Sequence, residues 1–275
     1  MPTFEEPEGS VQVISKVLRI LEAIQTSPWG LTLKPLCDIT GVHKSTAHRF
    51  LRHLQREGYL LRTENGAYLI GPKLSQMGTR ANPQATLNAV ARPVLSDLWK
   101  NTHETVNLAV LDHGSVLYVE VIESPHDFRL SSQVGARRTV YATALGKALA
   151  AWLDEKELES LLNSTSFQPL TSRSVSSPVQ FRQELAHVKQ RGYAVDDEET
   201  TWGARCVSAP ILNAAGHAIA AISVSGPVTR IAPDQVPALA RAVMCAADDI
   251  STALGFVRSG RELADPAAQP ETALP

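Results

Sequence analysis

The sequence predicts an α+β chain: an N-terminal winged helix-turn-helix, a linker helix, and a C-terminal α+β domain with an antiparallel sheet. Three observations predict it. Residues 31–69 carry two short helical repeats followed by a hairpin signal. Residues 72–101 carry a long helical stripe. Beyond residue 102, apolar strands come in hairpin pairs separated by amphipathic helices.

In order along the chain, Met1–Gly9 (MPTFEEPEG) is acidic and proline-bearing, the composition of a disordered tail. Ser10 is an N-cap candidate, and Ile14, Val17, Leu18, Leu21 and Ile24 form one stripe, so Val11–Gln25 reads as an amphipathic helix ended by Pro28 and Gly30. Leu33, Leu36 and Ile39 give a short second helix, and Gly41 supplies the left-handed residue that ends it. Ala47, Phe50, Leu51 and Leu54 recur at i, i+3, i+4 and i+7, the apolar face of a third helix. Its other positions are His43, Lys44, Ser45, Thr46, His48, Arg49, Arg52 and Arg56, donors and cations of the kind that phosphates and base edges require. Gly58 stops it. Tyr59–Arg62 and Ala67–Leu69 then read as two strands joined by Asn65-Gly66, the signature of a type I′ turn. An ordinary two-helix corner within an enzyme is the competing reading of these forty residues.

Gly71-Pro72 punctuates the chain. Residues 73–80 are weakly helical, Asn82-Pro83 breaks them, and Leu87, Val90, Ala91, Val94, Leu95 and Leu98 make a long stripe with Pro93 inside it. Residues 72–101 are the linker helix, and its stripe offers itself as a dimer surface or as intrachain packing. The domain that follows, 102–258, opens with strands at 106–111 and 116–122 joined by Asp112-His113-Gly114-Ser115. A strand at 129–134, helices at 143–153, 155–162 and 179–191, a Ser/Thr-rich loop at 165–177, a hairpin of 206–212 with 218–224, and a closing helix at 233–256 complete it. Residues 259–275 are Pro/Ala-rich and read as a second disordered tail.

The net charge of −2 says little, but its distribution is informative. Ser10–Lys73 holds nine Lys/Arg against four Asp/Glu, whereas Ala81 to the end holds sixteen against twenty-one. A basic head on an acidic body fits a nucleic-acid-binding module joined to a separate regulatory one. Three cysteines, Cys37, Cys206 and Cys245, are too few and too far apart to suggest a disulfide framework or a zinc site. His43, His48 and His53 do not share a helix face, so no metal is expected there. No apolar run approaches a membrane span and the N-terminus is not a signal peptide, so the expectation is a soluble, cytoplasmic protein without cofactor. No G-x-S-x-G, P-loop, H-E-x-x-H or G-x-G-x-x-G is present, which disfavours an enzyme; an adaptor that has lost DNA binding is the other competitor, against which the basic head argues.

Two stretches of the C-terminal half carry chemistry. Ser223 and Ser225 put hydroxyls on one side of the apolar strand AAISVSGP, where they need partners. The acidic run Asp196–Glu199 reads as a solvated loop, a divalent-metal site or paired carboxylates, and Cys206 as a buried structural thiol or a site residue.

The chain resembles the IclR family of bacterial transcription regulators. The matching segments are SVQVISKVLRILEAI, GVHKSTAHRFLRHLQREGYL, TALGKA, and GYAVDDEETTWGARCVSAPI followed by AAISVSGP. The resemblance implies a winged helix-turn-helix joined by a linker helix to a GAF-like effector domain. It also implies a homodimer or dimer of dimers that binds double-stranded operator DNA, as repressor or activator, under control of a small carboxylate or aromatic metabolite. Within that head the residues themselves make Lys44, Ser45 and Thr46, at the N-terminus of the recognition helix, and His48, Arg49 and Arg52 the candidates for contact with DNA, a solvated helix face being the alternative for each. The resemblance places Asp196, Ala204 and Cys206 on the effector pocket with Ser223 and Ser225, and Leu130, Ala144 and Leu145 as its remaining walls.

Overall fold

Helix periodicity and turn residues organise the head. The computed structural model describes residues 12–27, 29–80 and 83–257, and the chain divides into two units, Met1–Pro83 and Gln84–Pro275. Both expected tails, the Ser10 cap, Val11, Pro28 and the Asn82 break lie outside the described residues. In the first unit, α1 (Gln12–Gln25), α2 (Leu33–Thr40) and α3 (Lys44–Arg56) close on a core of Ile20, Ile24, Leu36, Val42, Ala47, Leu51, Leu60 and Tyr68. The stripe expected on α1 is split. Ile24 is buried beside Ile20 and Ala23, but Ile14 and Leu18 are 56% and 51% exposed and Val13 is 53% exposed. The chain's own core covers only the C-terminal half of that helix.

The wing is β1 (Leu60–Arg62) paired with β2 (Tyr68–Ile70), and Leu31 adds a bridge to Tyr68. Its turn is not the two-residue type I′ form that Asn65-Gly66 suggests. Only Gly66 has positive φ, its N–H reaches the Thr63 carbonyl at 3.0 Å, and Thr63 and Ala67 close the loop with a further bond of 2.9 Å. That is the longer hairpin loop ending in a left-handed glycine. Two consecutive residues of positive φ, the type I′ requirement, occur instead at His113 (φ 48°) and Gly114 (φ 74°) in the second unit.

α4 (Pro72–Arg80) closes the first unit's sequence, and α5 (Pro83–Thr102) opens the second. The second unit is a six-stranded antiparallel sheet of β3 (Thr105–Asp112), β4 (Ser115–Ile122), β5 (Arg137–Arg138), β6 (Ala194–Asp197), β7 (Ala204–Leu212) and β8 (Ala218–Pro227), in spatial order β5-β4-β3-β8-β7-β6. Alternation assigns its two faces. Val106, Leu108, Val207, Ala209, Ile222 and Val224 meet α5 and α9 (Val236–Ala253). Of the α5 stripe, Leu87, Ala91, Leu95 and Leu98 are buried inside their own chain, while Val90 and Val94 are half-buried at its margin.

The other face meets α6 (Ala144–Ala150), α7 (Glu155–Ser164) and α8 (Pro178–Arg191) through Ala109, Ala194 and Ala221. Gly146 lets α6 pack against the turn that leads into it: a Cβ there would lie 2.2 Å from the Val140 carbonyl oxygen. Thr143, expected inside the helix, is its N-cap and accepts the Gly146 N–H at 3.0 Å. The strand expected at 129–134 is a loop, and the chain rejoins the sheet only at β5. Side chains hold it off the ladder: Thr105 Oγ1 donates to the Leu130 carbonyl at 2.7 Å, and Ser131 and Arg129 donate to Glu123.

Candidate functional site

Two separate surfaces carry the candidate residues. On α3, Lys44, His48 and Arg52 follow one another at four-residue spacing on a single exposed face, with Ser45 and Arg49 in the adjoining row. Among the described residues none of Lys44, Arg49 and Arg52 is paired with a carboxylate, whereas Arg56 is tied to Glu57 at 3.2 Å. Ser45 Oγ shares a hydrogen bond with His43 Nδ1 at 2.9 Å, and Thr46 is half-buried. The opposite face, Ala47 and Leu51, is buried in the head. Apolar packing thus fixes the helix and leaves an unpaired cationic row facing water, the arrangement a polyanion can neutralise.

The second surface is a cavity of about 140 Å³ between the sheet and α6. Leu130, Ala144, Leu145, Asp196, Ala204, Cys206, Ser223 and Ser225 all line it. Strand register brings them together. Asp196 stands opposite Cys206, Cys206 opposite Ser225, and Ser225 opposite Thr105, one row across four strands. Ser223 stands opposite Asn107 in the next row.

The serine hydroxyls have a protein partner that the sequence reading lacked. Asn107 Nδ2 donates to Ser223 Oγ at 3.1 Å and to Ser225 Oγ at 3.2 Å. An oxygen that accepts from Asn107 keeps its own proton to donate. The fully buried Asn107 Oδ1 has no partner among the described residues. Asp196 is 1% exposed and accepts from the Glu199 N–H at 2.8 Å, the Thr200 N–H at 3.2 Å and the Thr200 hydroxyl. Burial raises its pKa above the usual carboxylate range, and those hydrogen bonds and Lys147 oppose the rise. Burial likewise pushes the Cys206 thiol up, with the Asp196 charge adding to it, so the sulfur stays protonated and is no nucleophile.

Behind the cavity lies Lys147, 1% exposed, whose ammonium bonds Glu199 and lies 3.9 Å from Glu184. Burial raises the Glu199 carboxyl to about 7 against the pull of Lys147, and its Oε2 is buried without a partner among the described residues. A lone lysine within the apolar helix ALGKALA was the available signal for this buried pair.

The wall also contains Tyr118, Ser131, Arg138, Thr143, Thr200 and Thr201, which sequence reasoning missed. Tyr118 and Arg138 arrive from β4 and the edge strand β5, and Thr200 from the loop that caps Asp196, so only the topology could have found them.

Comparison with known proteins agrees with this division. Residues 13–64 match the IclR helix-turn-helix domain, and residues 80–252 match the bacterial transcriptional regulator IclR C-terminal domain. The chain is 33% identical over 253 residues to the transcriptional repressor IclR of Escherichia coli, covering 91% of this chain and 92% of that one. It is similar to the crystal structure of the repressor BlcR of Agobacterium tumefaciens, at 28% identity and a TM-score of 0.70, covering 90% of this chain and 99% of that chain. It is also similar to an IclR homolog of Microbacterium hydrocarbonoxydans solved with 4-hydroxybenzoate, at 25% identity and a TM-score of 0.58, covering 88% and 98%.

Proposed function

The chain belongs to the IclR family, as a DNA-binding transcriptional regulator with a C-terminal effector-binding domain, and from that premise we propose which residues perform each task. The α3 face carrying Lys44, Ser45, His48, Arg49 and Arg52 enters the major groove, with Thr46 beside it supporting the approach to the backbone. Arginine forks onto guanine and the shorter donors onto phosphate are the contacts this residue set can make. The cavity holding Asp196, Cys206, Ser223 and Ser225, walled by Leu130, Ala144, Leu145 and Ala204, binds the effector. The protein works in the cytoplasm; among the described residues no helix is long and apolar enough to cross a membrane.

One observation carries the effector reading. On a sheet face otherwise covered by apolar helices, a buried carboxylate, a thiol and two hydroxyls held by Asn107 converge on one cavity. The ligand of the Microbacterium relative, an aromatic hydroxy acid, has the size and the hydrogen-bonding ends that such a wall could satisfy.

Homodimers, or dimers of such dimers, follow from two considerations. One recognition helix reads only a few base pairs, so operator specificity needs two half-sites. Val13, Ile14 and Leu18 leave an apolar row on α1 that a second head would cover. Sedimentation equilibrium at micromolar concentration tests this, and a monomer would contradict it. Thermal-shift screening of a metabolite library tests the effector site. A ligand bound only by the folded state raises stability by RT ln(1 + [L]/Kd), and replacing Ser223 and Ser225 by alanine should remove the shift.

A further inference from the structure

We propose that Lys147 and Glu199 are positioning residues of the effector site: the buried ammonium anchors the turn that presents Asp196 to the cavity, and its single charge against two carboxylates keeps one proton on that wall. This rests on the effector-site reading above and adds to it the residues that hold the wall and set its charge.

Helix α6 serves the cavity twice. Ala144 and Leu145 line it, and Lys147, two positions on, is 1% exposed with its ammonium on the Glu199 carboxylate. Glu199 passes that anchorage on through its backbone. Its N–H donates to Asp196 Oδ1 at 2.8 Å, the Thr200 N–H joins it at 3.2 Å, and the Thr200 hydroxyl donates to Oδ2. The outer side of the turn is held by hydroxyls: Thr171 Oγ1 donates to the Glu198 carbonyl at 2.7 Å, and Ser174 Oγ to the Glu199 carbonyl. Between these two grips Glu198 has φ 60°, a left-handed conformation that a residue with a side chain keeps only where its surroundings impose it. Removing the ammonium releases the inner grip alone.

Counting charges gives the proton. The groups that face Glu199 are Lys147 from α6, Glu184 from α8, Asp196 from β6 and Cys206 from β7. Glu184 lies 3.9 Å from Lys147 but is answered by Arg191 at 2.9 Å, with His187 at 3.9 Å. Arg173, outside the turn, pairs with Asp197 at 2.9 Å and Glu198 at 3.1 Å. Among the described residues, Lys147 is therefore the cation that acts on both Asp196 and Glu199. Two carboxylates that share one ammonium in a desolvated space do not both stay ionised at neutral pH. Burial raises both, but Asp196 accepts three hydrogen bonds that favour its anion, whereas Glu199 Oε2 has no partner among the described residues. The proton therefore rests on Glu199.

Cys206 reports the state of this wall without any effector. It stands opposite Asp196 in the strand register, lines the cavity, and its ionisation is opposed by both Asp196 and Glu199. Its alkylation therefore reads the Glu199 charge from inside the site. Only the thiolate reacts, so the logarithm of the rate climbs with pH at unit slope until a neighbouring group ionises.

The test treats the full-length protein with iodoacetamide from about pH 5.5 to about pH 9 and quantifies Cys206, Cys37 and Cys245 separately by peptide mass spectrometry. In the wild type the Cys206 profile should break at about pH 7, falling about threefold or more below its extrapolated line. Cys37 and Cys245 should show no break there. Glu199→Gln should remove the Cys206 break, and Lys147→Met should move it up by about one pH unit or more, since the cation that favours the Glu199 charge is gone. Hydrogen exchange reads the anchorage: residues 197–203 should exchange about tenfold faster in Lys147→Met while β3 and β8 keep wild-type rates. If Lys147→Met does not fold, Lys147→Met/Glu199→Met, which removes both charges together, takes its place in the exchange experiment with the same expectation. The inference is overturned by a wild-type Cys206 profile without a break, by a break that survives Glu199→Gln, or by exchange at 197–203 that is unchanged or rises no more than everywhere else. Failure of the effector-site reading shows elsewhere, as a ligand indifferent to the Ser223→Ala/Ser225→Ala double variant, and leaves these ligand-free results as they are.

Discussion

The head and the effector domain solve binding in opposite ways. The head displays an unpaired cationic row on one exposed helix, fixed from behind by Ala47 and Leu51. The effector domain hides its polar groups, gathering them from β6, β7, β8, α6 and the loop before β5 into a small desolvated space. The difference follows from the ligands. A polyanion is met by charges that stay in water until contact, and counterion release supplies affinity. A small molecule offers few contacts, so each must be made where water is absent and the donors are already aligned.

If the two regions are separable in this way, a change in one should spare the other. The largest effect expected is from Leu51→Ala, which empties a fully buried position of the head core. Such truncations cost about 2–5 kcal/mol. Two transitions should appear in calorimetry, the head melting early, with operator binding lost and effector affinity unchanged. A single shifted transition would show that the two regions fold as one unit.

Arg49→Ala with Arg52→Ala comes next. Loss of a base-reading fork costs about 1–3 kcal/mol. Operator affinity should fall tenfold or more at fixed salt, and the slope of log K against log salt should flatten by about one for each phosphate no longer neutralised. An unchanged slope would remove both arginines from the interface.

Replacing Ser223 and Ser225 by alanine removes two hydroxyl donors, each worth about 0.5–1.5 kcal/mol. Effector affinity measured by calorimetry should drop about tenfold, while DNA binding without effector stays near the wild-type value.

The smallest effect expected concerns pH. Glu199 is raised from 4.5 to about 7 by burial, so the folded protein holds a proton that the unfolded chain has already released. Stability from this group is then present at low pH and declines as pH rises from about 4.5 through about 7. Glu199→Gln keeps the shape without the titration, and melting temperature against pH should be flatter across that window than in the wild type. A parallel pair of curves would show that Glu199 titrates normally.

The same contrast explains what could be read from the sequence. Helix spacing made α3 and its polar face legible, because the residues that act together lie within nine positions. The serine pair was legible through strand alternation, and Asp196, Ala204, Cys206, Leu130, Ala144 and Leu145 only through family resemblance. Arg138 and Tyr118 were not legible, since nothing local says that β5 and β4 bring them to a wall shared with β6. Asn107 was missed for the same reason: its partners lie 116 and 118 residues away. On α1 and α5 the stripes gave the helices but not their cover. Most of the α5 stripe was spent within the chain, and half of the α1 stripe was left outside.

The central claim is that a ligand felt in the sheet cavity changes what the head does to DNA. Fluorescence anisotropy of a labelled duplex taken from the DNA flanking the protein's own gene measures it directly, titrated with wild type and with Ser223→Ala/Ser225→Ala, each with and without the ligand found by thermal shift. The account predicts equal DNA affinity for the two proteins without ligand, a ligand-induced change in the wild type, and a change needing about tenfold more ligand in the double variant. The same ligand dependence in both proteins, or no ligand effect on DNA affinity in the wild type, would contradict it.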